Sequence, residues 1–203
     1  QLLFFSSIQP VIFLTLFNFV FGGALSQNAP GGNYINYLLP GILIQTTLFG
    51  ALNTGVGLAE DTGKGIIDRF RSLPMSRAAV MAGRTLSDML RNVVVMTIMF
   101  IVGSIYGFRL QDGALAGVAM FATALIFSFS VSWIAAYLGL TVKDAETAQL
   151  AGFVFIFPLT FASSAFVPVN YMPSWLQTFA SHQPVTYAVN ATRSFALGTP
   201  MNG

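Results

Sequence analysis

A chain of 203 residues with 8% charged and 55% hydrophobic residues, at a mean hydropathy of +0.71, is not a soluble domain, where about a quarter of residues carry charge. Its net charge of +2 sits in one stretch rather than on a basic face, so no nucleic-acid partner is expected. Cysteine is absent and histidine occurs once, which argues against disulfides, thiolate chemistry and a histidine-based metal site.

In chain order, Leu2 to Leu25 is long enough to cross the roughly 30 Å of bilayer hydrocarbon, with Pro10 within it. A short uncharged loop, Ser26 to Asn33, leads to a second span from Tyr34 to Ala59, with Pro40-Gly41 near its start. Gly63 and Gly65 close its helical pattern. A third span is expected over Asn92 to Phe108, a fourth over Ala114 to Leu140, and a fifth over Gln149 to Val167 with Pro158 at its centre. Short helices are expected at Ser174–Ala180 and Val185–Ala196, after Pro173 and from Pro184. Both are too short to span, so they read as interfacial or re-entrant, and Pro168 to Leu197 is expected to form a lid on the outer side. The fold class is all-α integral membrane, a polytopic helical bundle with five spans visible. The chain opens inside an apolar run without an initiator Met and closes without a last apolar segment, so it is expected to continue past both ends, with a sixth span.

Glu60 to Arg91 is the one long polar interruption, holding six of the nine basic residues and four of the seven acidic ones. If the spans alternate, this stretch and Thr141–Ala148 share a side carrying seven basic residues, against Arg109 and Arg193 on the other. The positive-inside rule places the first side in the cytoplasm. Within the stretch, Ile66, Ile67, Phe70 and Leu73 recur at helical spacing with Asp68, Arg69 and Arg71 between them. That pattern is an amphipathic helix bounded by Pro74, and a second helix, capped by Ser76, is expected from Arg77 leading up into the third span. The residues alone fit both a plain surface loop and a docking helix.

The stretch LLPGILIQTTLFGALNTGVGLAEDTGKGIIDRFRSLPMSRAAVMAGRTLSDMLR resembles the membrane domain of ABC-2 type exporters, and within them the actinobacterial daunorubicin-type drug permeases. FVPVNYMPSWLQTFASHQPVTYAVNATR is similar to the family's outer segment of proline-broken short helices. The resemblance implies one ABC-2 transmembrane domain over residues 1–203, paired as a homodimer or pseudo-dimer. It implies two ATP-binding subunits on the cytoplasmic face, which hold the ATP and Mg, so this chain is neither an enzyme nor a cofactor carrier. The family's coupling helix maps to Gly65–Arg77, where Asp68, Arg69, Phe70, Arg71, Leu73 and Arg77 are the expected ATPase contacts. Gly63-Lys64-Gly65 lacks the surroundings of a phosphate loop, so ATP is not expected to bind here.

No ionisable side chain lies well inside the spans as drawn above, which disfavours ion-driven transport. Gln45 and Asn53, eight residues apart on one helix face, either bond between helices or line a substrate path. Phe153, Phe157 and Phe161 form an i, i+4, i+8 stripe that is either packing or a surface for a flat hydrophobic substrate. Gly103-xxx-Gly107 and Gly113-xxx-Gly117 read as helix-packing patterns. The function expected is ATP-driven export of a hydrophobic or amphipathic small molecule, with membrane lipid as a neighbour. Polymer export and a membrane scaffold with a non-ATPase partner are the alternatives.

Overall fold

The computed structural model describes residues 2–25, 33–65 and 77–198, with side chains over 7–23, 33–65 and 82–198. Among these residues the chain forms seven α-helices: α1 Leu2–Leu25, α2 Tyr34–Gly63, α3 Arg77–Ile105, α4 Gly113–Thr141, α5 Ala145–Phe161, α6 Ser174–His182 and α7 Pro184–Leu197. A single 3-10 turn, Val169–Tyr171, lies before α6. The helices α2, α4 and Ala82–Ile105 of α3 are long and apolar enough to cross a bilayer. The helix α5, Ala145–Phe161, is shorter at 17 residues, and α1 runs for 24. The chain is an all-α polytopic membrane protein.

The helix α2 is the axis, packed on α1, α3, α4, α5 and α7, and 89% of its apolar window is buried. Such a helix shows no amphipathic stripe, because protein surrounds it. The outer helices α3 and α4 instead leave Ile105, Leu115, Ile126 and Ile134 exposed, the surface a lipid bilayer requires. Close packing of α2 on α4 depends on Gly55 and Gly139, since a Cβ on Gly139 would strike the Gly55 carbonyl. The small-residue patterns expected to pack helices behave differently. Gly103 lies against Leu39 of α2, whereas Gly107 and Gly113 take φ of +98° and +78° where α3 ends and α4 begins.

Two boundaries agree with expectation and one differs. The second helix runs on to Gly63, where Gly63 and Gly65 were expected to close it, and Gly65 takes φ +67° just beyond it. The helix expected from Arg77 runs without a break into the third span, so α3 carries Arg84, Asp88 and Arg91. The fifth starts at Ala145, capped by Asp144, and ends at Phe161, so Pro158 lies in its last turn. The Thr147 amide donates to Asp144 Oδ1 at 2.7 Å and holds that carboxyl below the usual carboxylate range.

The segment expected as a lid divides into two unlike parts. The helix α6 leaves Trp175 and Phe179 exposed, whereas α7 buries Val185, Val189, Thr192, Arg193 and Ala196 against the bundle. The turn between them, at Gln183, returns to the end of α5, where its side-chain amide donates to the Ala162 carbonyl. This makes α7 a packed strut within the bundle, with α6 as the exposed arm.

Candidate functional site

Three polar sites and one aromatic series stand out against the apolar bundle. The first lies at the charged end, where α2 finishes and α3 begins. Arg84 donates to Asp61 across the two helices. One turn deeper, Arg91 pairs with Asp88 at 3.0 Å, and the Thr54 hydroxyl of α2 donates to the same carboxylate. Lys64 and Glu60 also pair, but on the exposed surface, where such a pair adds little. Arg84, Asp88 and Arg91 all precede Asn92, where the third span was expected to begin, and each finds an opposite charge. Of the expected coupling residues, Asp68, Arg69, Phe70, Arg71 and Leu73 lie outside the described residues, and Arg77 is described only as the first residue of α3.

The second site is a niche of about 110 Å³ between α1, α2 and α3, lined by Gln9, Gln45, Asn53, Arg91 and Asn92 with Phe13 and Phe49. Gln45 and Asn53, expected on one face, do meet there. Asn92 is fixed by donating its amide to Ser128 of α4 at 2.8 Å, with its carbonyl turned to Gly50. A Cβ on Gly50 would lie 2.7 Å from that oxygen, so glycine sets the width of the niche.

The aromatic stripe is longer than the sequence spacing indicated. Phe153, Phe157 and Phe161 follow one another at ring separations of 6.2 and 4.4 Å. The series continues through Phe166 at 5.2 Å to Phe17 at 4.7 Å and Phe13 at 5.7 Å. At its other end Phe153 meets Phe49 of α2 at 5.7 Å. These separations suit offset aromatic contact. Phe153, Phe157 and Phe161 remain between 38% and 48% exposed, so the series is a surface and not a sealed core.

The third site was missed. Arg193 of α7 is only 7% exposed. Its Nη2 donates to the carbonyls of Tyr37 at 3.1 Å and Ser164 at 2.9 Å, its Nη1 donates to Asn190, and its guanidinium lies 3.6 Å from the Tyr37 ring centre. The hydroxyls of Tyr34 and Tyr37 donate to the carbonyls of Phe166 and Ser164. A Cβ on Gly41 would strike the Ala165 backbone, so the link from α5 to α6 lies directly on α2. The available signal was a lone arginine in α7, three residues after Asn190 and on the same helix face as Val189 and Ala196.

Among the described residues, the bundle presents an aromatic surface and places its ion pairs at one end. The family model described as "ABC-2 type transporter" matches residues 1–197. The daunorubicin resistance ABC transporter permease DrrB1 of Streptomyces coeruleorubidus is 36% identical over 192 residues, 95% of this chain and 67% of that protein. The probable doxorubicin resistance permease DrrC of Mycobacterium tuberculosis is 27% identical over 195 residues, 96% of this chain and 70% of that protein. The putative transport permease ycf38 of Cyanophora paradoxa is 28% identical over 193 residues, 92% of this chain and 64% of that protein. With the family model matching nearly the whole chain, this protein belongs to the ABC-2 type transporter family and is a multi-pass permease of the membrane.

Proposed function

We propose that the chain is the membrane-spanning subunit of an ATP-driven exporter that moves a hydrophobic or amphipathic compound (a drug, antibiotic or lipid-like product) out of the cell. The supporting observation is the half-exposed aromatic series from Phe49 through Phe153, Phe157 and Phe161 to Phe17. A surface of phenylalanines holds flat apolar molecules without fixing their orientation, which suits a permease of broad substrate range. The named relatives that confer daunorubicin and doxorubicin resistance support the same class of cargo.

In this reading a second copy of the chain completes the path, and two ATPase subunits, with ATP and Mg, dock on the cytoplasmic face at Gly65–Arg77. ATP binding there moves the hairpin of α2 and α3. The Asp61–Arg84 pair and the Thr54–Asp88 hydrogen bond join its two helices into one lever. Only a partner that binds the two states of the lever unequally shifts their populations. The test is ATP-dependent accumulation of a panel of fluorescent hydrophobic compounds in inside-out vesicles containing the permease and its ATPase. Phe157→Ala is expected to reorder which compounds are transported at unchanged protein abundance. Lower abundance with the same order of preference would return the stripe to packing alone.

A further inference from the structure

The aromatic series does not simply run along the bundle. Its two ends, Phe13 of α1 and Phe49 of α2, both line the polar niche, so the phenylalanines form a horseshoe closed by Gln45, Asn53 and Arg91. Within that niche Gln45 is only 6% exposed, and its amide makes no hydrogen bond with the described residues. The amide faces the open space of the niche and is free to bond whatever enters it. Asn53 and Gln9, both exposed to the same space, add further donors and acceptors.

We propose that this niche is the head-group subsite of the transport path, taking a neutral hydrogen-bonding group such as a hydroxyl or carboxamide. The flat apolar body attached to it lies on Phe49, Phe153 and Phe157. The inference rests on the exporter reading above and names the class of cargo: planar amphiphiles with an uncharged polar end. Electrostatics selects the uncharged end. Arg91 in the wall is paired with Asp88 at 3.0 Å, so the niche offers little net charge to hold an ionic head. A carboxamide or hydroxyl meets both the oxygen and the nitrogen of the Gln45 side chain, whichever way the amide is turned. The volume of about 110 Å³ admits a few heavy atoms, so the body of the molecule has to remain on the rings outside. Between cargo molecules, water occupies such a space, and the head displaces it.

The test uses the full-length permease with its ATPase in lipid nanodiscs and two probes. One is a tricyclic aromatic fluorophore bearing a primary carboxamide, and the other is its methyl analogue. Binding is read by fluorescence anisotropy. Wild-type protein is expected to prefer the carboxamide. Gln45→Leu should weaken carboxamide binding about tenfold while leaving the methyl analogue unchanged or tighter. This substitution removes a polar group that has no hydrogen-bond partner among the described residues, so it leaves the packing of α2 intact. Gln45→Asn, which shortens the reach, should fall between. Phe157→Ala should weaken both probes alike. Equal affinity of the wild type for the two probes, or equal loss of both in Gln45→Leu, overturns the subsite. ATP-dependent uptake of the same probes into inside-out vesicles reads the exporter separately. Uptake of both without preference leaves the exporter standing and removes the subsite. Preferential, Gln45-dependent binding without uptake keeps the subsite and removes the exporter.

Discussion

Arg193 is held by carbonyls, one amide oxygen and an aromatic face, with no carboxylate in its hydrogen-bonding shell among the described residues. The arrangement spreads one charge over several dipoles, so the cation stays compensated without a second buried ion that would itself need solvation. It also explains why Tyr37 donates its hydroxyl to the Ser164 carbonyl that Arg193 uses. The two donors saturate an oxygen that lies past the end of α5 and has no helical partner. Arg193→Met keeps the apolar contact but removes these charged hydrogen bonds, which at this degree of burial cost on the order of 3 kcal/mol. A fall of several degrees in thermal unfolding of the purified protein is the expected outcome. Arg193→Lys, with a point charge in place of the planar fork, should recover only part of it. An unchanged unfolding temperature for Arg193→Met would show that α7 is held by apolar packing alone.

Among the elements, the hairpin of α2 and α3 makes the sharpest demand on its side chains. Arg84 and Asp61 join the helices close to Gly57, where the absence of a Cβ gives the guanidinium its room. Arg84→Glu places two acids together and is expected to cut ATP-driven transport severely. The double variant Asp61→Arg with Arg84→Glu reverses the pair and should restore much of it, as a direct interaction requires. If the double variant is no better than the single ones, the pair is not what joins the helices. This hairpin also shows what the sequence made legible. The close of α2 was readable because Gly63 and Gly65 break the helical pattern locally. The start of α3 at Arg77 was readable too, but the partners of Arg84, Asp88 and Arg91 on α2 and on α3 itself were not, since they depend on how the two helices pack. In the same way, Phe153, Phe157 and Phe161 were visible as a stripe by spacing. Their continuation to Phe166, Phe17 and Phe13 depends on tertiary placement, which no local pattern encodes. Gln45 and Asn53 were legible as a pair on one face, whereas Gln9 and Arg91 joined them only through packing of α1 and α3.

Across the whole molecule, one helix runs from the charged end to the far end. The charged end of α2 leads into the stretch that contains Asp68, Arg69 and Arg71, and its far end is joined through Tyr34, Tyr37 and Gly41 to the α5–α6 link and to Arg193. A displacement of α2 at one end therefore reaches the far end through direct contacts, while the niche and the aromatic series lie beside it midway. Packed interfaces of this kind shift between discrete arrangements and do not deform smoothly. If the ATPase drives α2 through the coupling stretch, charge reversal there should separate energy supply from cargo recognition. Arg71→Glu is expected to abolish ATP-dependent uptake into inside-out vesicles while leaving membrane insertion and probe binding at wild-type levels. Loss of ATPase co-purification with the same variant would place the defect at docking. Retained co-purification with lost uptake would place it in the transmission through α2. Normal uptake would remove Arg71 from coupling and shift that role to another residue of the stretch.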